Sequence, residues 1–350
     1  MDNPPHHSHR LRRQSIDNPP RVRYPPQQSH PNLPQGNPSP AHHTPQASRP
    51  YPQAPQQAPS RDRQSRRVFL QNVALATVEA INNGIVDVSK TQSRTRLFLP
   101  DAPELVNWRQ TPPQSRRYST RNPVSSAVLS MSTTEGAHYL HSLDPTKKIG
   151  VLNFASATHP GGGFLEGAKA QEESIARASS LYVSLITETA RPFYALHDKD
   201  EKGGFYSHAM IYSPNIHIFR DDAGGWIAPF EVDVLTSPAV NAGKARKVFR
   251  KVPHDEIEAR IQEHMKERMA RVLALFEKQG ARNLVLGSFG TGVFRNDVKA
   301  MARIWRDLLL VPGARFAMSF DAVAFTIPDS NTKHKFESVF NVLNPIPVQI

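Results

Sequence analysis

Residues 150–173 read GVLNFASATHPGGGFLEGAKAQEE, and the order of residue types here sets the reading of the whole chain. The apolar run Ile149–Phe154 has the length and flanks of a buried strand. It leads into Gly161-Gly162-Gly163, and seven residues later Gln171-Glu172-Glu173 opens a segment with helical spacing that runs to about Thr189. Three consecutive glycines reach backbone conformations closed to other residues and let a ligand approach the main chain. Each piece has an ordinary structural explanation: GGG occurs in plain loops, and the macrodipole favours Glu in the first turn of any helix. Their conjunction is far rarer, on the order of 10⁻⁸ per starting position at average residue usage.

A second stretch, GSFGTGVF at 287–294, has the same grammar. It follows a buried-strand run, Asn283–Leu286, and precedes Asn296-Asp297 and a helix over Val298–Leu310. A glycine-rich turn between strand and helix gathers backbone N–H groups in one concavity, which suits an anionic diphosphate. The spacing alone also marks a plain tight turn. Phe294 could pack on a bound ligand, or be a core residue at a helix entry. Asn153 and Ser156 could hydrogen-bond the same ligand or cap the strand end.

Working outward, Leu70, Val73, Ala74, Val78 and Ile81 mark a helix over Val68–Asn82. Residues 100–125 are polar, with Trp108 isolated, and read as a long connection; a helical or mixed segment covers 127–143. Strands are expected at 209–212, 216–219, 232–236 and 316–327, a long helix over Asp255–Lys278 and a last one over 336–343. Strands alternating with helices of this length predict a layered α/β domain with a parallel or mixed sheet. Arg220-Asp221-Asp222 with Gly224-Gly225 could hold a divalent cation or be a polar turn.

Composition separates the two ends of the chain. Residues 1–60 hold 15 of the 31 prolines and 6 of the 15 histidines, including His6/His7 and His42/His43. Such a stretch cannot bury enough apolar surface to offset its ordering entropy, so residues 1–65 are expected to form a disordered tail. Residues 1–67 carry a surplus of seven positive charges out of the net +12, leaving about +5 for the remainder. The basic balance therefore belongs to the tail, which could contact nucleic acid or another polyanion. With no cysteine, a disulfide scaffold, a Cys-ligated zinc site and a Cys nucleophile are excluded. With no apolar run of about 18 residues and no apolar segment in the first thirty, an intracellular protein of the nucleus or cytoplasm is expected, without membrane contact.

The pattern GGG, seven residues, QEE resembles the signature of poly(ADP-ribose) glycohydrolases. The wider blocks NFASATHPGGGFLEGAKAQEESIARASSLY, MIYSPNIHIFRDDAGG, VLTSPAVNAG and NLVLGSFGTGVFRND are similar to the microbial-type branch, over roughly residues 66–343. One departure is His159, where that branch often has Asn before Pro-Gly-Gly-Gly; a ligand contact at this position is not carried over. The resemblance implies a macrodomain-like three-layer α/β/α sandwich with a mixed sheet at 146–350, preceded by a mainly helical extension at 66–145. It also implies cleavage of ribose–ribose O-glycosidic bonds in poly(ADP-ribose), with release of ADP-ribose. Glu173 takes the acid/base role and Glu172 orients the substrate ribose, with Gln171 supporting the loop. Gly161, Gly162, Gly163, Asn153, Ser156, Gly287, Gly290, Thr291, Gly292, Val293 and Phe294 are the substrate-binding candidates. Neither metal nor cofactor is expected.

The chemistry is consistent with those residues. Glycoside hydrolysis needs an acid for the leaving oxygen and a base for water, through an oxocarbenium-like transition state. Adjacent helical residues project about 100° apart, so the two Glu side chains take different tasks. A helix N-terminus favours the ionised carboxylate, whereas an acid must keep its proton; the charges of a bound diphosphate would restore the balance. Two other readings stand beside the enzyme: a module that binds ADP-ribose without cleaving it, and a hydrolase of mono-ADP-ribose. The first has no need of two carboxylates beside a polyanion; only substrate assays separate the second.

Overall fold

The computed structural model describes residues 61–110, 123–199 and 201–341. The expected tail therefore lies outside the described residues except for its last five positions, and with it both histidine pairs.

The strand at the centre of the fold, Ile149–Phe154, is buried along almost its whole length, as expected of a parallel strand covered on both faces. It is β3 of a seven-stranded sheet. The others are β1 (Arg96–Phe98), β2 (Ser125–Leu129), β4 (Met210–Arg220), β5 (Trp226–Ser237), β6 (Asn283–Leu286) and β7 (Ala322–Thr326), in the order β1-β4-β5-β3-β6-β7-β2. β5, β3, β6, β7 and β2 run parallel, while β4 is antiparallel to β5 and to β1.

Successive side chains of these strands point to opposite faces, and two separate cores result. Leu152, Leu284, Leu286, Val323 and Phe325 join one cluster. Helices α9 (His254–Lys278) and α10 (Val298–Leu309) cover that face. Val151, Val285 and Ala324, their immediate neighbours, join the other cluster, under α4 (Thr133–Leu143), α5 (Gln171–Ala178), α6 (Leu181–Leu185) and α7 (Arg191–Asp198). This is the expected three-layer arrangement with a mixed sheet. Among the described residues no helix is long and apolar enough to cross a membrane.

Several boundaries differ from the sequence reading, each for a local reason. Helix α1 runs Arg61–Asn82 and so begins inside the stretch assigned to the tail. The described residues of 66–145 include the helices α2 (Ser89–Arg94) and α3 (Pro103–Val106), yet they supply both edge strands, β1 and β2, to the sheet expected to begin after residue 145. Trp108 is not isolated: it is buried, stacks on Phe316 at 6.0 Å and donates Nε1–H to Glu267 at 3.1 Å. The mixed segment 127–143 resolves into β2 and α4, separated by Ser132, whose hydroxyl and Glu135 form a reciprocal capping box. The helix expected from 171 to 189 breaks after Ala178 because Ser179 and Ser180 bond to backbone instead, Ser180 exchanging hydrogen bonds with His217 on β4. The strands expected at 209–212 and 216–219 are one strand, β4, bulged where Pro214 has no N–H to donate and Asn215 takes φ +55°. β5 extends well upstream of residue 232 to complete the hairpin. The last strand is β7 alone: Phe316 and Phe320 are buried in turns before it. Helix α11 (Ser330–Phe340) starts early because Asp329 caps it, accepting from Thr332 N at 2.8 Å. Helix α8 (Ala242–Val248) and α7 are additions to the elements expected from the sequence.

Candidate active site

Because five strands are parallel, their carboxyl ends lie on one side, and the loops that follow them meet there. A cavity of about 850 Å³ opens at this edge, where open α/β sheets commonly bind ligands. Its walls include Ser156, Gly162 and Gly163 from the loop after β3, the first turn of α5, and Ser288 and residues 290–294 from the loop after β6.

Gln171 ties α5 to β3. Its amide oxygen accepts Phe154 N at 2.8 Å, while its amide nitrogen donates to Leu152 O at 2.7 Å and Thr133 Oγ1 at 3.1 Å. It thus continues the strand's hydrogen bonding with a side chain and fixes where the next two residues begin. Glu172 is 2% exposed; it accepts Ser156 N at 2.6 Å and Asn153 Nδ2 at 3.2 Å. Burial, reinforced by the neighbouring Glu173 charge, pushes its carboxyl up to about 8 against the pull of those donors. Glu173 is 9% exposed, and its Oε1 accepts Gly163 N at 3.0 Å. Its Oε2 is buried with no hydrogen-bond partner among the described residues. A ligand hydroxyl or glycosidic oxygen would satisfy that atom.

The triple glycine follows from this packing. Gly161 and Gly162 have φ +70° and +59°, and a Cβ on Gly162 would collide with Glu173 Oε1. The glycines let the loop lie directly against the carboxylate pair.

The loop after β6 is anchored at its base. Gly287 O accepts Trp305 Nε1 at 3.1 Å, and Gly290 has φ +72° and O···Nδ2 contact with Asn296 at 3.0 Å. Beyond that anchor it is open: Val293 is 79% exposed and Gly292 has open space where a Cβ would stand. Phe294 is half-buried against the core, near Tyr206 with ring centres 6.0 Å apart, and also lines the cavity, so both readings of it hold.

Of the sequence candidates, Glu172, Glu173, Gln171, Ser156, Gly162, Gly163, Gly290, Thr291, Gly292, Val293 and Phe294 line this one cavity. Asn153, Gly161 and Gly287 do not: they sit behind the wall, where Asn153 supports Glu172, Gly161 packs against Phe164 and Gly287 against Thr326. Asn241 caps α8, accepting Lys244 N at 2.9 Å. Arg220-Asp221-Asp222 is a polar turn, Asp221 accepting Gly225 N and Asp222 accepting the Thr134 hydroxyl.

Sequence reasoning missed the side chains that reach the site from elsewhere. Arg177, one turn after Glu173, is buried and faces the Glu173 and Asp222 charges. Tyr194 on α7 brings a buried phenol near Glu172, and burial with that neighbouring charge raises it well above its ordinary value. Arg268, hidden in the apolar stripe of α9, is fully buried and donates to Pro238 O and Phe205 O at 2.8 Å and Ser207 O at 2.9 Å. Burial lowers its guanidinium to about 9. It locks the loop that places Ala239 in the cavity wall and Tyr206 beside Phe294. Only the S-x-x-E cap at Ser132 and the Pro-Asp pair at 328–329, both in the wall, carried a local signal.

Comparison with known proteins agrees with this geometry. The family description "Microbial-type PARG, catalytic domain" matches residues 51–221. No curated protein matches the chain. Among solved structures, poly(ADP-ribose) glycohydrolase from Thermomonospora curvata is similar at 35% identity and TM-score 0.68, over 78% of this chain and 98% of that one. The same enzyme bound to the inhibitor ADP-HPD is similar at 34% identity and TM-score 0.65, over 78% and 98%. The Deinococcus radiodurans poly(ADP-ribose) glycohydrolase in complex with ADP-ribose is similar at 35% identity and TM-score 0.64, over 73% and 98%. With nearly the full length of these enzymes matched, and a paired carboxylate held between two glycine loops at the sheet's carboxyl edge, the chain belongs to the microbial-type poly(ADP-ribose) glycohydrolases, a family of hydrolytic enzymes.

Proposed function

We propose that this chain hydrolyses the ribose–ribose O-glycosidic bond of poly(ADP-ribose) and releases ADP-ribose, with Glu173 as general acid and base. The observation that carries this reading is the buried Oε2 of Glu173, which has no donor among the described residues and stands beside the cavity. Glu173 gives its proton to the leaving ribose oxygen as the bond to the anomeric carbon breaks, and water adds to that carbon and returns a proton to Glu173.

Glu172, pushed up to about 8, holds its proton at neutral pH. In that state it can exchange hydrogen bonds with ribose hydroxyls while Asn153 and Ser156 keep it in place. Backbone amides of the open part of the second loop, Gly292–Phe294, receive the diphosphate, and Phe294 flanks the sugar or base, while Gly162 and Gly163, whose amides bond to His159 O and Glu173, hold the carboxylate in place. Asn153, Gly161, Gly287 and Gln171 act by shaping the wall.

The test is Glu173→Gln, which keeps shape and removes the titrating group. Turnover of defined poly(ADP-ribose) should fall at least about 10³-fold, with the Kd for ADP-ribose within about threefold of wild type. Residual turnover above a tenth of wild type would sink the acid/base assignment. The seven surplus positive charges of residues 1–67 suit an added, salt-sensitive tether to polymer or nucleic acid. Deleting residues 1–60 should then flatten the salt dependence of polymer binding and leave short substrates unaffected. A chain with no cysteine to oxidise is compatible with the reducing nucleus or cytoplasm, the location that goes with this reading.

A further inference from the structure

A second cavity, of about 210 Å³, lies beside α5, between it and α1. Its walls come from α1 (Arg66, Phe69), from Lys169 and Arg177, and from Asp221 and Asp222 at the β4–β5 turn. Lys169 and Ser174, the residue after Glu173, line both cavities, so the two are neighbours at the first turn of α5. No residue of 287–294 lines the second cavity. It is therefore not another part of the diphosphate-holding end; it adjoins the catalytic cavity through Lys169 and Ser174.

Its side chains have the chemistry of a nucleotide site. Phe69 is 49% exposed and lines this cavity beside Gly224. Large exposed aromatics beside cations are the usual platform for a base. Arg66 is exposed, and neither its side chain nor that of Lys169 forms an ion pair or hydrogen bond among the described residues. Arg177 adds a third positive charge from the wall. The two carboxylates are each turned partly inward, Asp221 to Gly225 N at 2.7 Å and Asp222 to the Thr134 hydroxyl, and their remaining oxygens can accept from ribose hydroxyls or an amino group. Cations outnumber carboxylates by three to two in this wall.

We propose that this second cavity binds the nucleotide on the leaving-group side of the scissile bond, the unit that stays with the polymer after cleavage. Phe69 stacks its adenine, and Arg66 with Lys169 contacts its phosphates. The proposal rests on the glycohydrolase reading above, and it makes the enzyme favour a substrate in which a further ADP-ribose unit adjoins the one being released.

The test uses the full chain with Arg66→Glu and Phe69→Ala combined, both on the exposed surface of α1, where substitution leaves the core untouched. Three quantities are compared with wild type: the Kd for ADP-ribose, kcat/KM on long poly(ADP-ribose) at several salt concentrations, and kcat/KM on an ADP-ribose glycoside carrying a small aryl leaving group. We expect polymer cleavage to fall about tenfold with a shallower salt dependence, and the other two quantities to stay within about twofold. Unchanged polymer cleavage overturns the subsite. An equal loss on polymer and aryl glycoside also overturns it, since the damage then lies in the catalytic cavity. Wild-type enzyme that cleaves neither substrate refutes the glycohydrolase reading and the subsite with it.

Discussion

The two glycine loops look alike in sequence and are built on opposite principles. Gly161–Gly163 is pressed against side chains: Gly162 leaves no room for a Cβ beside Glu173, and Gly163 N is committed to the same carboxylate. The 287–294 loop is fixed at Gly287 and Gly290, whereas Gly292 and Val293 stand free. The first loop positions chemistry and keeps two carboxyls together out of water. The second presents backbone to a ligand. Glycine serves close protein–protein packing in one and ligand approach in the other, and the letters alone do not distinguish them.

The burial of the carboxylate pair offers the strongest way to sharpen this contrast. Glu172 has an ordinary value of 4.5 and stands near 8 in the folded chain. Between those values the folded chain keeps a proton that the unfolded chain loses, so the stability from this group is full below pH 4.5 and falls as pH rises through 8. Glu172→Gln does not titrate; thermal or denaturant unfolding should show it gaining on wild type across that window, by on the order of 4 kcal/mol at the upper end. A stability difference independent of pH would mean that the first loop stores no such charge penalty.

Gly162→Ala is the next largest effect. Its Cβ would displace the Glu173 carboxylate, and a misplacement of about 1 Å is expected to lower kcat about 100-fold with little change in ADP-ribose affinity. Gly290→Ala tests the base of the second loop: at φ +72°, with Asn296 Nδ2 2.7 Å from the added Cβ, it should lose about 2 kcal/mol of stability by denaturant titration. Gly292→Ala should move stability by less than about 0.5 kcal/mol, because nothing stands within 4 Å of the added carbon. If Gly292→Ala proved as damaging as Gly162→Ala, the distinction between a packed and an open loop would fail.

The site was legible in sequence to the extent that it is local. Strand, glycines and Gln-Glu-Glu lie within 25 residues, so their pattern shows directly, and the Gly290–Phe294 turn could be read in the same way. What stayed hidden reaches the site through space. Arg268 looks like one more position of an amphipathic helix, and only its four carbonyl acceptors, from residues 205, 206, 207 and 238, reveal a clamp. Gln171 reads as loop support, yet its amide pairs with the backbone of a strand 17 and 19 residues away. The edge strands β1 and β2 are three and five residues long, too short for a period of two to stand out, and they gain their identity from β4 and β7 beside them.

The sequence by itself determined the central strands β3 and β6, the starts of the helices that follow them, both glycine turns and the identity of the acidic pair, because hydrophobic period and backbone freedom are properties of neighbouring residues. The tertiary structure alone decided that both turns face one cavity, that Glu172 and Glu173 are both withdrawn from water with different partners, and that a second cavity opens beside α5. Burial and proximity depend on which distant segments pack together, and no stretch of sequence carries its own dielectric surroundings.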